Sequence, residues 1–277
     1  MFTPARPVPV ALFVSVAGGT LGAMSQPSRP ATATPHASWA AGPLLGFDTE
    51  TTGVCPTADR LVTAALVARG PLRTDGTRTQ QVTTWLADPG VVIPASATAV
   101  HGISTERARA EGRPAGEVLE EVSAALAAAM AAGTPVVAYN AAYDLTLLEA
   151  ELIRHGLPTL RQRLGRELGP VVDPLVIDRR VDRYRRGKRR LTDLCAFYGI
   201  DPEAAGLHTA EVDVVATLDV LDAMAFTHPE ITRIPRTELM SWQAAAHRDW
   251  AESFNEFLRR RGRTPDVAPD WPLPAGM

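Results

Sequence analysis

Four carboxylates and one histidine recur in a fixed order between residues 48 and 213, and their types define the chemistry open to this chain. Asp48 and Glu50 stand in Leu44-Leu45-Gly46-Phe47-Asp48-Thr49-Glu50-Thr51-Thr52-Gly53. Asp144 ends Ala138-Tyr139-Asn140-Ala141-Ala142-Tyr143-Asp144, and His208 and Asp213 bracket His208-Thr209-Ala210-Glu211-Val212-Asp213. Four acids converging on one point repel one another and cannot all stay ionised without cations. The economical explanation is a pair of divalent metals held for phosphodiester hydrolysis, with the histidine handling the proton.

The spacings decide how far each residue supports that reading. In an extended strand residues i and i+2 share a face, so Asp48 and Glu50 can share a cation while Thr49 points away. Such Asp-x-Glu pairs are common on solvated strands. This one ends an apolar run and directly precedes Thr51-Thr52-Gly53, where the glycine permits a tight turn and the threonines offer hydroxyls and amides to a ligand. Asp144 falls in the first turn of a helix, where a capping aspartate is the competing reading. Asn140 just before it can hydrogen-bond a nucleotide or orient the loop. His208 and Asp213 lie about 140° apart around a helix, so His208 belongs on the loop entering it and Asp213 one turn inside. An accessible histidine, with its ordinary pKa near ~6.5, suits a general base. Glu211 is expected to face solvent. Val100-His101-Gly102-Ile103 sets an imidazole where a ligand could approach closely, although a plain turn with a helix-capping role is the alternative. Residues 179–190 carry eight basic side chains against one acid, Asp182, a density that suggests a phosphate-backbone contact region.

These residues need elements to position them. Residues 44–47, 61–69, 81–87, 135–139 and 171–172 read as five strands, the second and third as a hairpin. Residues 114–132, 143–155, 191–198 and 209–225 read as helices, the first with Val118, Leu119, Val122 and Leu126 on one face. A hairpin-led sheet followed by alternating helix and strand predicts an α/β fold, a mixed five-stranded sheet flanked by helices. The carboxylates place the working domain at 44–228. Residues 229–277 read as an appendage, a helix near 239–261 and a Pro-rich tail that carries none of the acids.

Composition narrows the class. With 45% hydrophobic and 21% charged residues the chain can bury a core, and a net charge of −3 means that any nucleic-acid contact must be a local patch. Cys55 and Cys195 have no metal-ligand spacing, which points to reduced thiols and a cytoplasmic protein. Residues 8–23 are apolar behind Arg6 but too short and glycine-rich for a membrane span. A start at Met24 is preferred over a signal peptide, and residues 1–43 are expected to be disordered and outside the fold. A glycosidase needs two carboxylates rather than four and a histidine. A catalytically dead nucleic-acid-binding module predicts at least one missing acid, and all five positions are filled.

The three segments resemble, in order and wording, the Exo I, Exo II and Exo III motifs of the DEDDh 3′–5′ exonucleases, over roughly residues 43–226. Members of that family include the proofreading subunit of bacterial replicative DNA polymerase, ribonuclease T and oligoribonuclease. The resemblance implies a ribonuclease H-like fold in which Asp48, Glu50, Asp144 and Asp213 bind two Mg²⁺ or Mn²⁺ ions and His208 is the general base. It places His101 and Asn140 beside the terminal nucleotide and Thr51 and Thr52 at its 3′ end. Single-stranded DNA or RNA 3′ ends are the implied partners, with short RNA as the alternative substrate. A DNA polymerase or repair partner is also implied, as is a homodimer with the C-terminal helix as its interface. Tyr139 stands where many members have His, and Tyr143 where Phe is common.

Overall fold

The computed structural model describes residues 38–201 and 209–277. At its centre lies β1 (Leu44–Thr51), whose antiparallel partner β2 (Leu61–Arg69) pairs in turn with β3 (Gln80–Asp88). On its other edge β1 runs parallel to β5 (Val136–Val137), which pairs with β6 (Val171–Val172). The sheet order is β4-β3-β2-β1-β5-β6. Five of these strands are those expected from the hydrophobic pattern. The sixth, β4 (Arg113–Pro114), is a two-residue parallel addition to β3, too short to leave a periodicity.

Between β3 and β4 come two short helices, α1 (Ala95–His101) and α2 (Thr105–Glu111), the latter capped by the Ser104 hydroxyl. One face of the sheet is covered by α3 (Ala115–Ala131), α4 (Ala141–Arg154) and α5 (Leu160–Leu164). Val118, Val122, Leu126 and Met130 of α3, four residues apart and fully buried, form its inward stripe. The opposite face carries α7 (Leu191–Tyr198) and α8 (Ala210–Thr227), whose Val214, Leu218 and Leu221 are buried against Ala65 and Val67 of β2. Connecting the layers is α6 (Pro174–Val181), packed against the C-terminal helix α9 (Leu239–Arg260). No helix among the described residues is long and apolar enough to cross a membrane.

Both ends of the described chain reach further into the fold than their composition suggests. Residues 38–43 already pack on the fold. Trp39 is buried beside α8 and donates its indole N–H to the Ile231 carbonyl at 3.3 Å, which seats six residues of the expected extension. At the other end, Trp271 and Leu273 of the Pro-rich tail join the main core, and Gln243 of α9 is completely buried. Gln243 accepts from the Asp173 amide at 2.8 Å and donates to the Val171 carbonyl at 2.8 Å. The C-terminal segment carries none of the acids, yet it completes the hydrogen bonding of the sheet edge at β6.

Gly46 sets how closely α8 approaches β1. A Cβ there would stand 2.3 Å from Val214 Cγ1 and 2.9 Å from Leu218 Cδ1. Arg69, buried at the end of β2, holds the far end of the same helix through Asp219 at 2.7 Å and Asp222 at 3.0 Å. Gly46→Ala is expected to push α8 outward and to destabilise the fold by about 1–3 kcal/mol, the usual cost of overpacking. Thermal unfolding followed by circular dichroism measures this. An unchanged midpoint would mean that α8 moves freely and that the close approach is not required.

Candidate active site

The alternation of β1 distributes the acids. Leu44, Gly46, Asp48 and Glu50 face the α8 layer, while Phe47 and Thr49 face α3 and α4. Asp213 lies in the first turn of α8, one turn inside the helix as its spacing requires. Asp48, Glu50 and Asp213 each present a carboxylate oxygen to one point, and these oxygens all lie within 4.8 Å of one another.

Asp144 arrives from the other face. Beyond Gly46, β1 outruns the two-residue β5, and the Thr49 amide is left to find another acceptor. Asp144 Oδ1 takes it at 3.1 Å and also accepts from Thr49 Oγ1 at 2.6 Å. The helix-capping reading does not describe this aspartate. The N-cap of α4 is Asn140, and Asp144 instead ties the helix to the end of β1. Thr49 points away from the other acids, as the strand period demands, and there it positions the fourth one.

Burial and mutual repulsion make the cluster hard to ionise. Asp48 is raised well above the ordinary carboxylate range by burial first, then by the charges of Asp144, Glu50 and Asp213. Glu50 is raised to about 7 by burial, with Asp213, Asp144 and Glu211 adding to it. Asp144 also reaches about 7 through burial, held back by its hydrogen bonds from Thr49. The donor set is all hard oxygen, and a divalent cation would offset the repulsion that raises these groups. The residues therefore fit Mg²⁺ or Mn²⁺.

The remaining expected residues fall into three situations. His101 is buried at the end of α1 and lines a cavity of about 220 Å³ together with Glu50, Trp85, Arg107 and Glu211. Its Nδ1 accepts from the Ile103 amide at 3.1 Å, its Nε2 has no hydrogen-bond partner among the described residues, and burial lowers its pKa. Glu211, expected to face solvent, is half-buried on the same cavity. Asn140 is exposed in the left-handed conformation at φ 61°, a position where asparagine is among the few tolerated side chains. The hydroxyls of Thr51 and Thr52 are engaged within the protein, Thr51 on the Gly53 carbonyl at 2.6 Å and Thr52 on Asp59 at 2.9 Å. His208 lies outside the described residues.

Other residues bearing on the site lacked a motif. Buried Asp173 accepts from the amides of Asn140 and Ala141 at 3.0 Å each, fixing the turn that launches α4 and Asp144. Its own position is fixed by Gln243 and by Trp271 Nε1 at 3.4 Å. The sequence signal was Asp173-Pro174, an N-cap followed by proline at the first helical position. Tyr143 donates to the Gly53 carbonyl at 2.5 Å, tying α4 to the turn after β1 in a way that phenylalanine could not. Tyr139 donates to the Arg189 carbonyl at 2.6 Å. Much of the basic stretch is neutralised internally, because Arg185 and Arg189 both bind buried Asp178 and Arg190 pairs with Asp193 at 3.0 Å.

Comparison with known proteins places this arrangement. An exonuclease family model, that of ribonuclease T, matches residues 45–221. A DNA polymerase III subunit epsilon-like protein of Rhodobacter capsulatus is 34% identical over 176 residues, covering 62% of this chain. The chain spans only 22% of the length of that relative. Among solved structures, a moderately thermophilic exonuclease I of Methylocaldum szegediense matches at a TM-score of 0.57 and 22% identity, over 79% of this chain and 45% of its own. Exonuclease I of E. coli in complex with a dT13 oligonucleotide matches at 0.55 and 18%, over 69% and 42% respectively. At such identities the two structures establish a shared fold. With the family match spanning most of the chain, the chain belongs to the DEDDh 3′–5′ exonuclease family.

Proposed function

We propose that the protein is a metal-dependent 3′–5′ exonuclease that removes nucleoside 5′-monophosphates from the 3′ ends of single-stranded DNA or frayed duplexes. The observation that carries this is the gathering of Asp48, Glu50 and Asp213 around one point, with Asp144 close enough to raise the pKa of Asp48. The DNA preference draws on the oligonucleotide bound by the E. coli neighbour. Hydrolysis of short RNA is the second reading, supported by the ribonuclease T family model.

In this mechanism Asp48, Glu50 and Asp213 would hold one divalent ion, and Asp48 and Asp144 would hold the second. Such ions, when bound, would supply acidity for the attacking water and positive charge for the leaving 3′ oxygen. His208 takes the proton from that water. Asn140 and His101 flank the terminal nucleotide, and Thr51 and Thr52, held rigid by their own hydrogen bonds, form the floor beneath its 3′ end.

A 5′-labelled single-stranded DNA incubated with Mg²⁺ or Mn²⁺ is expected to shorten from its 3′ end in a ladder. Asp48→Ala or Asp213→Ala is expected to slow this by roughly a thousandfold or more, since the transition-state charge loses its support. Full activity in EDTA would refute the metal requirement. Faster loss of the matching RNA would favour the second reading.

The cluster also predicts how stability depends on pH. Glu50 and Asp144 titrate near 7 in the fold, above their ordinary values of 4.5 and 3.8. The folded state therefore binds these protons more tightly than the unfolded chain. The contribution is complete below about pH 4 and is lost as pH rises through about 7. Metal-free protein is expected to lose thermal stability between those limits more steeply than Glu50→Gln, and millimolar Mg²⁺ at about pH 8 should raise the midpoint by roughly 3–8 °C. Superimposable pH profiles for wild type and Glu50→Gln would overturn this account.

A further inference from the structure

One surface outside the acidic site combines cations with stacked aromatic rings. Trp250, Phe254 and Phe257 lie one turn apart along α9. The Trp250 and Phe254 ring centroids are 5.5 Å apart at an interplanar angle of 14°, and those of Phe254 and Phe257 6.0 Å apart at 27°. Phe254 and Phe257 are 37% and 46% exposed, far more than a helix gains by burying them. Facing them across a groove of about 270 Å³ is the basic segment of α6 and the loop after it, with Arg179, Arg180 and Arg183 on its wall. The Arg179 guanidinium sits 3.4 Å above the Trp250 ring. One carboxylate lines the groove, Asp249, which pairs with Arg180 at 3.2 Å.

We propose that this groove between α6 and α9 is a second binding surface for single-stranded nucleic acid, gripping a substrate away from the end being hydrolysed. The chemistry matches that ligand on both counts. Arginines on one wall meet the phosphates, while exposed rings on the other offer faces on which unpaired bases stack without regard to sequence. A protein partner of ordinary composition would not need both a cationic wall and a graded ring ladder, and duplex DNA would not expose base faces to it. The net charge of −3 makes such a local cationic surface the route by which a polyanion is held. The groove is also mechanically close to the acids. Asp173, which holds the Asn140 turn, donates its amide to Gln243 and accepts from Trp271 of the C-terminal segment, and it lies near enough to Arg179 for their charges to interact. Two faces of one short segment thus serve the two sites.

This inference rests on the nucleic-acid reading of the protein, and its test separates the two. Fluorescence anisotropy of 5′-fluorescein-dT20 in EDTA reads binding by the full chain without catalysis. Phe254→Ala with Phe257→Ala, and separately Arg180→Ala with Arg183→Ala, change exposed side chains, and an unaltered unfolding midpoint checks that the fold survives. Each pair is expected to weaken dT20 binding by roughly tenfold or more. The arginine pair should also flatten the log–log salt dependence by about one to one and a half. Hydrolysis of dT3 with Mg²⁺ should be far less affected, since so short a substrate leaves little chain beyond the acids to be gripped by the groove. Unaltered dT20 affinity in both pairs would overturn the proposal. So would a loss of dimer in sedimentation without a loss of DNA binding, which would assign the face to a second copy of the chain. Weakened dT20 binding alongside a wild type that cleaves nothing would leave the groove standing and remove the exonuclease reading.

Discussion

Everything in the acidic site depends on one strand having two faces that must each be packed. Along β1 the residues facing α8 are Leu44, Gly46, Asp48 and Glu50, and those facing α3 and α4 include Phe47 and Thr49. The apolar half of the strand anchors it in both layers. The polar half then projects beyond β5, where the sheet ends and the backbone of Thr49 is free to bind Asp144. A shift of one residue in register would exchange the faces, bury two carboxylates in the α3 core and leave Phe47 against α8. The same hydrophobic burial that stabilises the sheet therefore fixes which acids can meet.

That geometry holds a repulsion the rest of the fold must contain. Asp48, Glu50 and Asp144 are driven toward their protonated forms by desolvation and by each other. Helix α8 is kept in place against this by close packing on Gly46 at one end and by the Arg69 and Arg78 contacts to Asp219 and Asp222 at the other. Those ion pairs are shielded from water on the arginine side, so they resist screening better than the exposed pairs along α3. A cation at the acids would convert the repulsive cluster into a further tie between β1 and α8.

The parts of this that the sequence disclosed are the parts governed by local period. Two acids two apart on a strand, an acid one turn into a helix, and the three long strands β1, β2 and β3 all follow from alternation and capping. What stayed hidden depends on residues far apart in the chain. Gly46 reads as an ordinary strand glycine until Val214 is seen above it. Gln243 of the C-terminal helix and Trp271 of the tail show no link to the site in sequence until the buried Asp173 amide and carboxylate are seen as their partners. The basic run between Arg179 and Arg190 announced a charge that Asp178 and Asp193 cancel only in part, and Arg179 faces a tryptophan ring that no periodicity would pair with it. Tyr143 marked a departure from a motif, and the Gly53 carbonyl and Thr51 hydroxyl explain its hydroxyl.

The assembly of the acids from three distant segments has a bearing on biosynthesis. Asp48 leaves the ribosome before the other acids, with its strand already able to form a hairpin with β2 and β3. Asp213 follows more than half a chain later, and its helix must then dock on a strand that has been waiting, exposed along the Gly46 face. Contacts of such long sequence separation form late, after the entropy of closing the intervening chain has been overcome. Until that docking a nascent chain carries separated carboxylates rather than a cluster, and the apolar groove over Gly46 is the surface that a chaperone would have to shield.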